Sequence, residues 1–472
     1  MNATVAAVLL VPLVAALAVA LVGSRAARYV AGAGVAATLA SAIDLARRVE
    51  RDGPAELHVG GWAAPLGILL RADGLAAVLS LAIAIIASTL GFVTVARTTG
   101  RETSAARFFA VWLFAWAGSN ALVLSSDVFN LYVTLELVTI AAVVLLSIGG
   151  ERGALRVALR YMLIALPGSL VYLVGVALLY GRYATLDLAL IAERMTSTPV
   201  TWAALWLLVA GLVLKAALFP VHAWLPPVYA NARAIVAALL AAIVGKTAFI
   251  VVLRVWPALP HAFAASAGPI LGALASGAIV WGSVLALRQV RLRLVIAYSS
   301  VAHTGYLFLW FALATPAAWE GAVYIVLSHA FAVAALFLVS DTLERLGGDD
   351  RIEQVHGLSA RLPLSFFALA LAAASIMGMP PTGGFIGKWL LVRAAIETDQ
   401  WWAVVVLVAG SLVSAGYMFR ILRLALTTAG PIERVHAPLA GQFAAFVLGI
   451  AGFVLGLGSG VVLDLLAKGF TP

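Results

Sequence analysis

Six ionisable side chains interrupt apolar runs that are long enough to cross a lipid bilayer. They are one acid, three lysines and two histidines, namely Glu136, Lys215, Lys246, Lys388, His303 and His329. A charge near the bilayer centre costs roughly 3 kcal/mol on insertion scales, so such residues are rare unless they face a bundle interior, a partner or a water path. Their types and placement predict that the chain transfers ions or protons through the membrane.

The elements around these residues are predicted to be transmembrane helices. Of the 472 residues, 64% are hydrophobic and 11% are charged, whereas soluble domains are about 45–50% apolar and about 25% charged. The mean hydropathy is +1.07. A spanning helix needs about 20 apolar residues, and lipid requires a backbone whose hydrogen bonds are satisfied internally. We therefore predict an all-α integral membrane fold of about fourteen transmembrane helices, starting near Ala3, Tyr29, Asp73, Phe108, Val128, Ala158, Trp202, Ala234, Pro269, Leu294, Gly321, Leu364, Trp402 and Gln442.

No loop is long enough for a soluble domain, so residues 1–472 are predicted to form a single polytopic membrane domain. The longest loop runs from Arg47 to Arg71, and the alternation in Glu56-Leu57-His58-Val59 predicts a hairpin on the surface. The first apolar run lacks a basic segment before it and is too long for a typical signal sequence. We interpret it as an uncleaved first helix.

Spans seven and twelve each place a lysine beside a break that proline introduces. The first break reads Lys215-Ala-Ala-Leu-Phe-Pro220-Val-His-Ala-Trp-Leu-Pro-Pro227, and the second reads Met377-Gly-Met-Pro-Pro-Thr-Gly-Gly-Phe-Ile-Gly-Lys388. Proline removes an amide donor and clashes with the preceding turn, so both helices should be discontinuous. Paired broken spans point to an inverted-repeat transporter. This layout predicts two inverted five-helix repeats, spans four to eight (108–256) and spans nine to thirteen (269–424), without residue-level identity between them.

The net charge of +9 is explained by the placement of arginines rather than by a nucleic-acid partner. Arginines cluster in the odd-numbered short loops, and cytoplasmic loops of membrane proteins carry such an excess. The odd loops are therefore predicted to be cytoplasmic. With fourteen spans, both termini then face outward.

Several cofactor classes are excluded by composition. The chain has no cysteine, which excludes thiolate-held iron–sulfur clusters, thiolate zinc sites and disulfides within it. No dinucleotide-binding or P-loop sequence occurs in a strand-to-helix context, and neither buried histidine has the company of metal ligands. We expect no cofactor, no metal and no catalysis by the chain itself.

Each polar residue also has a purely structural interpretation. A buried Glu136 could lock two helices together, and a lysine can reach an interface with its ammonium group. Lys246 is about twelve residues into its span, where such reaching is difficult. Asp127 lies near a span end, where a structural role as a cap or surface residue is as consistent with the sequence as a functional role. Arg254 is interpreted as an interfacial anchor.

The two histidines lie in adjacent spans of a bundle that already carries lysines. A single buried histidine is most often satisfied within a core, but this combination favours a relay. Ser299 and Ser300 precede His303 by four and three residues, so they share its helix face.

A Glu–Lys pair provides a means of moving protons. At about 4 Å and an effective dielectric near 20, such a pair is worth roughly 4 kcal/mol. Making or breaking it could therefore change whether a buried lysine keeps its proton. We hypothesise that a proton released from Lys215 passes Lys246, His303 and His329 toward Lys388.

Four segments resemble the proton-conducting antiporter-like family: Asp127–Glu136, Lys215–Pro226, Ala297–Tyr306 and Pro381–Lys388. That family includes membrane-arm subunits of respiratory complex I, membrane-bound hydrogenase subunits and the D subunit of Mrp-type antiporters. The resemblance extends from about span three to span thirteen. It is strongest to the D subunit, through Asp127–Tyr132, Lys215–Pro220 and Gly384–Lys388.

The resemblance implies a proton-translocating subunit of a multisubunit Na⁺/H⁺ antiporter in a bacterial or archaeal cytoplasmic membrane, with other membrane subunits, protons and Na⁺ as partners. It implies that protons enter at the Glu136–Lys215 pair and leave at Lys388. Lys246 and the two histidines then connect the entry to the exit. One departure weakens the connecting path: many members carry a lysine four residues after the histidine of span eleven, where this chain has Val333.

The sequence leaves two other assignments open and disfavours a third. The chain could be the proton-pumping membrane subunit of a redox-driven complex, such as NADH:quinone oxidoreductase or a membrane-bound hydrogenase. It could also serve an inorganic-carbon accumulation complex. A role as the redox catalyst itself is disfavoured because cofactor ligands are absent from the sequence.

Overall fold

The computed structural model describes residues 2–22, 24–97, 103–148, 150, 152–346, 349–427 and 437–469. Within them, twelve helices are long and apolar enough to cross a membrane. Two shorter apolar helices, Pro199–Lys215 and Pro363–Met377, lie where the sequence predicts spans seven and twelve. The predicted all-α integral membrane fold is confirmed.

The helices follow the predicted spans closely. In chain order the first are α1 (Asn2–Leu21), α2 (Ser24–Asp52), α3 (Gly74–Arg97), α4 (Thr103–Leu124), α5 (Val128–Ser147), α6 (Arg152–Tyr183), α7 (Leu188–Arg194), α8 (Pro199–Lys215), α9 (Leu225–Asn231), α10 (Ala234–Leu239) and α11 (Gly245–Val255). After them come α12 (His261–Arg288), α13 (Leu292–Leu313), α14 (Pro316–Arg345), α15 (Leu358–Arg361), α16 (Pro363–Met377), α17 (Gly383–Glu397), α18 (Trp401–Leu426), α19 (Leu439–Leu457) and α20 (Ser459–Leu466).

The predicted hairpin is present in the long loop after α2. Strands β1 (Ala55–His58) and β2 (Leu69–Ala72) pair antiparallel, with Glu56 opposite Arg71. Among the described residues, these two strands form a two-stranded sheet.

The chain forms two compact units. Unit 1 comprises Met1–Ala216, Ile243–Ala267 and Val461–Pro472, and unit 2 comprises Ala217–Ala242 and Gly268–Gly460. The predicted repeats, 108–256 and 269–424, have different boundaries from these units and stay a prediction.

In unit 1, glycines bring α6 and α8 into close contact. An alanine methyl at Gly168 would lie 2.9 Å from the Cγ atom of Lys215 and 3.0 Å from the carbonyl oxygen of Gly211. A methyl at Gly211 would lie 2.8 Å from the amide nitrogen of Tyr172. Distances this short leave no room for a side chain, so the absence of one lets the two backbones approach.

In unit 2, α14 is the central helix. It packs against α13, α16, α17 and α19, and every residue of its most apolar stretch is buried. A helix that is apolar on all sides belongs in the interior of a bundle.

Both predicted breaks are present. Helix α8 ends at Lys215, and α9 begins ten residues later at Leu225. Helix α16 ends at Met377, and Gly378 follows with φ +80°, a left-handed conformation that glycine adopts without steric cost. Helix α17 then begins at Gly383, where the Thr382 hydroxyl accepts a hydrogen bond from the Phe385 amide.

The close approach of α6 and α8 yields a stability prediction. Replacing Gly168 with alanine should destabilise the protein by about 1–3 kcal/mol, the usual cost of overpacking. The matched control is Gly181→Ala in the same helix, where an added methyl meets no atom within 4 Å. The control should be neutral or stabilised by up to about 1 kcal/mol. Thermal aggregation of the detergent-purified proteins measures both, and equal midpoints for the two variants would contradict the role of close packing.

Candidate functional site

Three helices of unit 1 bring Glu136, Ser169 and Lys215 together. Glu136 is on α5, Ser169 is on α6 and Lys215 is the last residue of α8. The Lys215 ammonium donates hydrogen bonds to Glu136 Oε1 and, at 2.6 Å, to Ser169 Oγ. The Ser169 hydroxyl also donates to Glu136 Oε1. The predicted pair is therefore in contact, and a serine bridges it.

This pair lies inside the bundle. The Lys215 side chain is 4% exposed and the Glu136 side chain is 18% exposed. Removing one partner of a buried ion pair typically costs about 3–5 kcal/mol, because an uncompensated charge remains. Because the Lys215 side chain is buried and its ammonium group contacts Glu136, Lys215 does not reach the membrane surface.

The local sequence explains why Lys215 reaches this position. Helix α8 ends at Lys215 because the Pro220 break follows within a turn and a half. A cation in the last turn of a helix is favourable because the helix dipole places partial negative charge there. The absence of a side chain at Gly168 leaves room for the lysine stem beside α6.

Lys246 lies on α11, which packs against α4, α5 and α8. The helices that carry Glu136 and Lys215 are therefore its direct neighbours. Lys246 is 3% exposed, and no hydrogen bond of its ammonium group is present among the described residues. The helix is π-helical over Leu240–Val244, immediately before α11. Such bulges are frequent at functional sites, and no sequence pattern predicted this one.

The two histidines meet in unit 2. Their ring centroids are 4.3 Å apart, and His303 Nδ1 is 2.8 Å from the carbonyl oxygen of Ser299. Both are buried, at 3% and 2% exposure for His303 and His329. Val333, one turn after His329 on α14, is fully buried.

Lys388 completes the cluster in unit 2. Its ammonium donates to the carbonyl oxygens of Ile376 at 2.9 Å and Met377 at 3.1 Å. These two carbonyl groups belong to the last two residues of α16, where no donor of the same helix is left to bind them. The helix dipole also places partial negative charge at this end. The ammonium also lies 4.8 Å from the ring centroid of Tyr306, at cation–π distance. Because the Tyr306 ring is 5.5 Å from the His303 ring, one aromatic side chain separates Lys388 from the histidine pair.

Asp127 and Arg254, which are not part of the predicted proton route, have different structural roles. Asp127 is the cap of α5, since its carboxylate accepts the Asn130 amide at 2.7 Å. Burial raises the pKa of Asp127, and hydrogen bonds from the Asn130 and Phe129 amides oppose that effect. The interpretation of Arg254 as an interfacial anchor is wrong: it is 8% exposed and donates to both carboxylate oxygens of Asp73.

Ser169 and Tyr306 belong to the site, but the sequence analysis did not single out either one as a candidate functional residue. A serine in an apolar helix usually bonds its own backbone, so Ser169 carried no signal. Tyr306 follows His303 by three residues, and this spacing places both on one helix face. Among the residues that the structure describes, no group of three or more His, Cys, Asp or Glu side chains could hold a metal ion.

Comparisons with known proteins place the chain in a family. The model of the NADH:quinone oxidoreductase/Mrp antiporter transmembrane family matches residues 125–414. The N subunit of NADH-quinone oxidoreductase from Desulforudis audaxviator is 35% identical, with 95% of each chain covered. The D subunit of the Na⁺/H⁺ antiporter from Alkalihalophilus pseudofirmus is 29% identical, over 84% of this chain and 80% of its own.

A solved structure agrees with these sequence matches. A chain of the membrane-bound sulfane sulfur reductase, an archaeal respiratory membrane complex, superposes with a TM-score of 0.91 at 26% identity. The superposition covers 98% of this chain and 96% of that one. The resemblance that the four sequence segments carry is confirmed, and the chain belongs to the NADH:quinone oxidoreductase/Mrp antiporter transmembrane family.

Proposed function

We propose that this chain translocates protons as a subunit of a multisubunit monovalent cation (Na⁺)/H⁺ antiporter of Mrp type. Protons move along Glu136, Lys215, Lys246, His303, His329 and Lys388. The observation that carries the proposal is the buried Glu136–Lys215 pair bridged by Ser169. An ammonium and a carboxylate in direct contact can exchange a proton, after which both are neutral.

The choice of lysine over arginine supports proton transfer. Only four of the thirty basic residues are lysines, and three of them are Lys215, Lys246 and Lys388. Arginine keeps its proton in proteins, whereas a buried lysine can lose it. Three of the four lysines, the basic residue type that can release a proton, are thus buried in the helical bundle.

A purely structural role for the pair is less well supported. Desolvation of two buried charges can exceed their attraction, and replacing such a pair with apolar residues is often neutral or stabilising. Retaining a charged pair in the bundle therefore favours a role in transport.

The proposed route has a distinct part in each unit. In unit 1, Glu136 and Lys215 form the input pair and Lys246 accepts the proton from it. In unit 2, the His303–His329 pair passes the proton to Lys388, the exit site. Valine cannot carry a proton, so a step at Val333 requires water or another residue, and His329 lies one turn before it on α14.

The proposal extends to the setting of the chain. Its relatives include subunits of antiporter and respiratory complexes, so other membrane subunits are its partners. The membrane is the cytoplasmic membrane of a bacterium or archaeon, and both termini face outward. Spans four to eight and nine to thirteen form the two inverted repeats.

One observation favours a second candidate. The relative with 35% identity over 95% of the chain is a subunit of NADH-quinone oxidoreductase. In that case the same proton route is driven by electron transfer in partner subunits, and this chain itself binds no redox group.

Replacing Lys215 with arginine tests proton transfer against a structural lock. Lys215→Arg keeps the positive charge but cannot release its proton, so transport should fall to the level of Lys215→Ala. Proton movement is measured by the quenching of a pH-sensitive dye in everted vesicles that express the whole gene cluster. Lys468→Arg is the control, because Lys468 is exposed near the end of the described chain. Full activity of an assembled Lys215→Arg complex would contradict the route.

Removing a histidine tests the unit 2 relay. His303→Gln keeps a polar side chain but loses acid–base capacity, and proton transport should fall at least about tenfold. His261→Gln, at the exposed start of α12, should leave transport unchanged. If the two variants behave alike, His303 is a core histidine and not a carrier.

The source of energy separates the two candidates. Adding Na⁺ to everted vesicles from a host without its own antiporters should collapse an imposed pH gradient, and choline should not. The collapse should vanish in Lys215→Ala vesicles. If Na⁺ has no effect on the pH gradient of an assembled complex, but adding NADH acidifies the vesicle interior, the redox-driven function is the correct one.

A further inference from the structure

Ser169 occupies a position that the proposed route does not use. Its side chain is buried on α6, with 1% of the residue exposed. The oxygen accepts a hydrogen bond from the Lys215 ammonium at 2.6 Å. The hydroxyl group faces two acceptors, Glu136 Oε1 and the carbonyl oxygen of Ala165 at 3.0 Å.

A hydroxyl group carries one proton, so it can donate fully to only one of these acceptors at a time. Both positions are accessible by rotation about the Cβ–Oγ bond. The bond to Ala165 is the backbone bond to residue i−4 that serine commonly makes within helices. Ser169 therefore has a second donor position that remains available when Glu136 no longer needs a donor.

We propose that Ser169 is a positioning residue that satisfies Glu136 in both of its protonation states. With Glu136 ionised, the Ser169 hydroxyl donates to Oε1 and accepts from the Lys215 ammonium. When a proton passes from Lys215 to Glu136, one N–H bond breaks and one O–H bond forms. The new carboxylic acid then donates to Ser169 Oγ, and the Ser169 proton turns to the Ala165 carbonyl.

This role rests on the proposed function but adds a requirement to it. The pair must be able to become neutral without leaving a buried polar group unpaired. An unsatisfied buried donor or acceptor costs the desolvation of that group. Ser169 gives the Glu136 carboxyl a hydrogen-bond partner in both states, and no covalent bond of the serine has to break.

Three variants isolate the hydroxyl group. Ser169→Ala removes it, and Ser169→Thr keeps it. Ser119→Ala is the matched control: Ser119 is on α4 of the same unit, is 2% exposed, and donates to the Ala115 carbonyl at residue i−4. Its hydroxyl makes the same backbone bond as Ser169, away from the ion pair.

Two measurements read the outcome in the assembled complex. Proton transport in everted vesicles should fall about tenfold or more in Ser169→Ala, as expected for loss of a hydrogen bond to a charged group. Ser169→Thr and Ser119→Ala should transport normally. Infrared difference spectra between the transporting and the resting complex should show a protonated-carboxyl band that disappears in Glu136→Gln. This band should shift in Ser169→Ala and stay in place in Ser169→Thr.

The outcomes separate this inference from the function on which it rests. If Glu136→Gln transports normally, or the wild type shows no such carboxyl band, the proposed route itself is wrong. If Glu136→Gln is inactive while Ser169→Ala transports normally with an unshifted band, the route stands and the role of Ser169 is overturned. A Ser169→Thr complex that assembles but behaves like Ser169→Ala also overturns it.

Discussion

The cost of placing charge inside a lipid bilayer governs the structure around Glu136 and Lys215. An isolated charge is costly there, and three helices converge to pair the two groups and to supply the Ser169 hydroxyl. Close packing of α6 and α8 through glycine, and the end of α8 at the lysine, serve the same contact. In the route that we propose, this pair changes between a charged and a neutral form when a proton passes from Lys215 to Glu136.

Unit 2 accommodates a buried lysine by different means. The contacts of the Lys388 ammonium are two carbonyl oxygens at the end of a broken helix and the face of Tyr306. Partial charges of this kind stabilise a cation less than a full carboxylate does, which suits the proton-releasing role that we propose for Lys388. The rings of His303 and His329 contact each other, and the ring of Tyr306 lies between this pair and Lys388. The two units thus solve the same electrostatic problem with a full counter-charge in one and with dipoles in the other.

Much of this arrangement follows from the sequence, and the exceptions have physical reasons. Run length and proline placement predict the spans and both breaks, because lipid leaves the backbone few alternatives. The Glu136–Lys215 contact is predictable from the cost of isolated charges. Ser169 is not, because its role depends on the geometry of two other helices. Arg254 was assigned wrongly for a similar reason. Its partner Asp73 lies 181 residues away in the sequence, and a local sequence pattern does not show which distant residues meet in the fold.

In the proposed route, Glu136 keeps Lys215 charged until a proton passes from Lys215 to Glu136 and both groups become neutral. Nitrogen-15 NMR of lysine-labelled protein reads the charge state of each ammonium group directly. The chain contains only four lysines, and the Lys215 resonance is the one lost in Lys215→Arg. We predict an ammonium resonance in the wild type and a neutral-amine resonance in Glu136→Gln at the same neutral pH, because burial without a counter-charge disfavours the charged form. An ammonium resonance that persists in Glu136→Gln would contradict this claim.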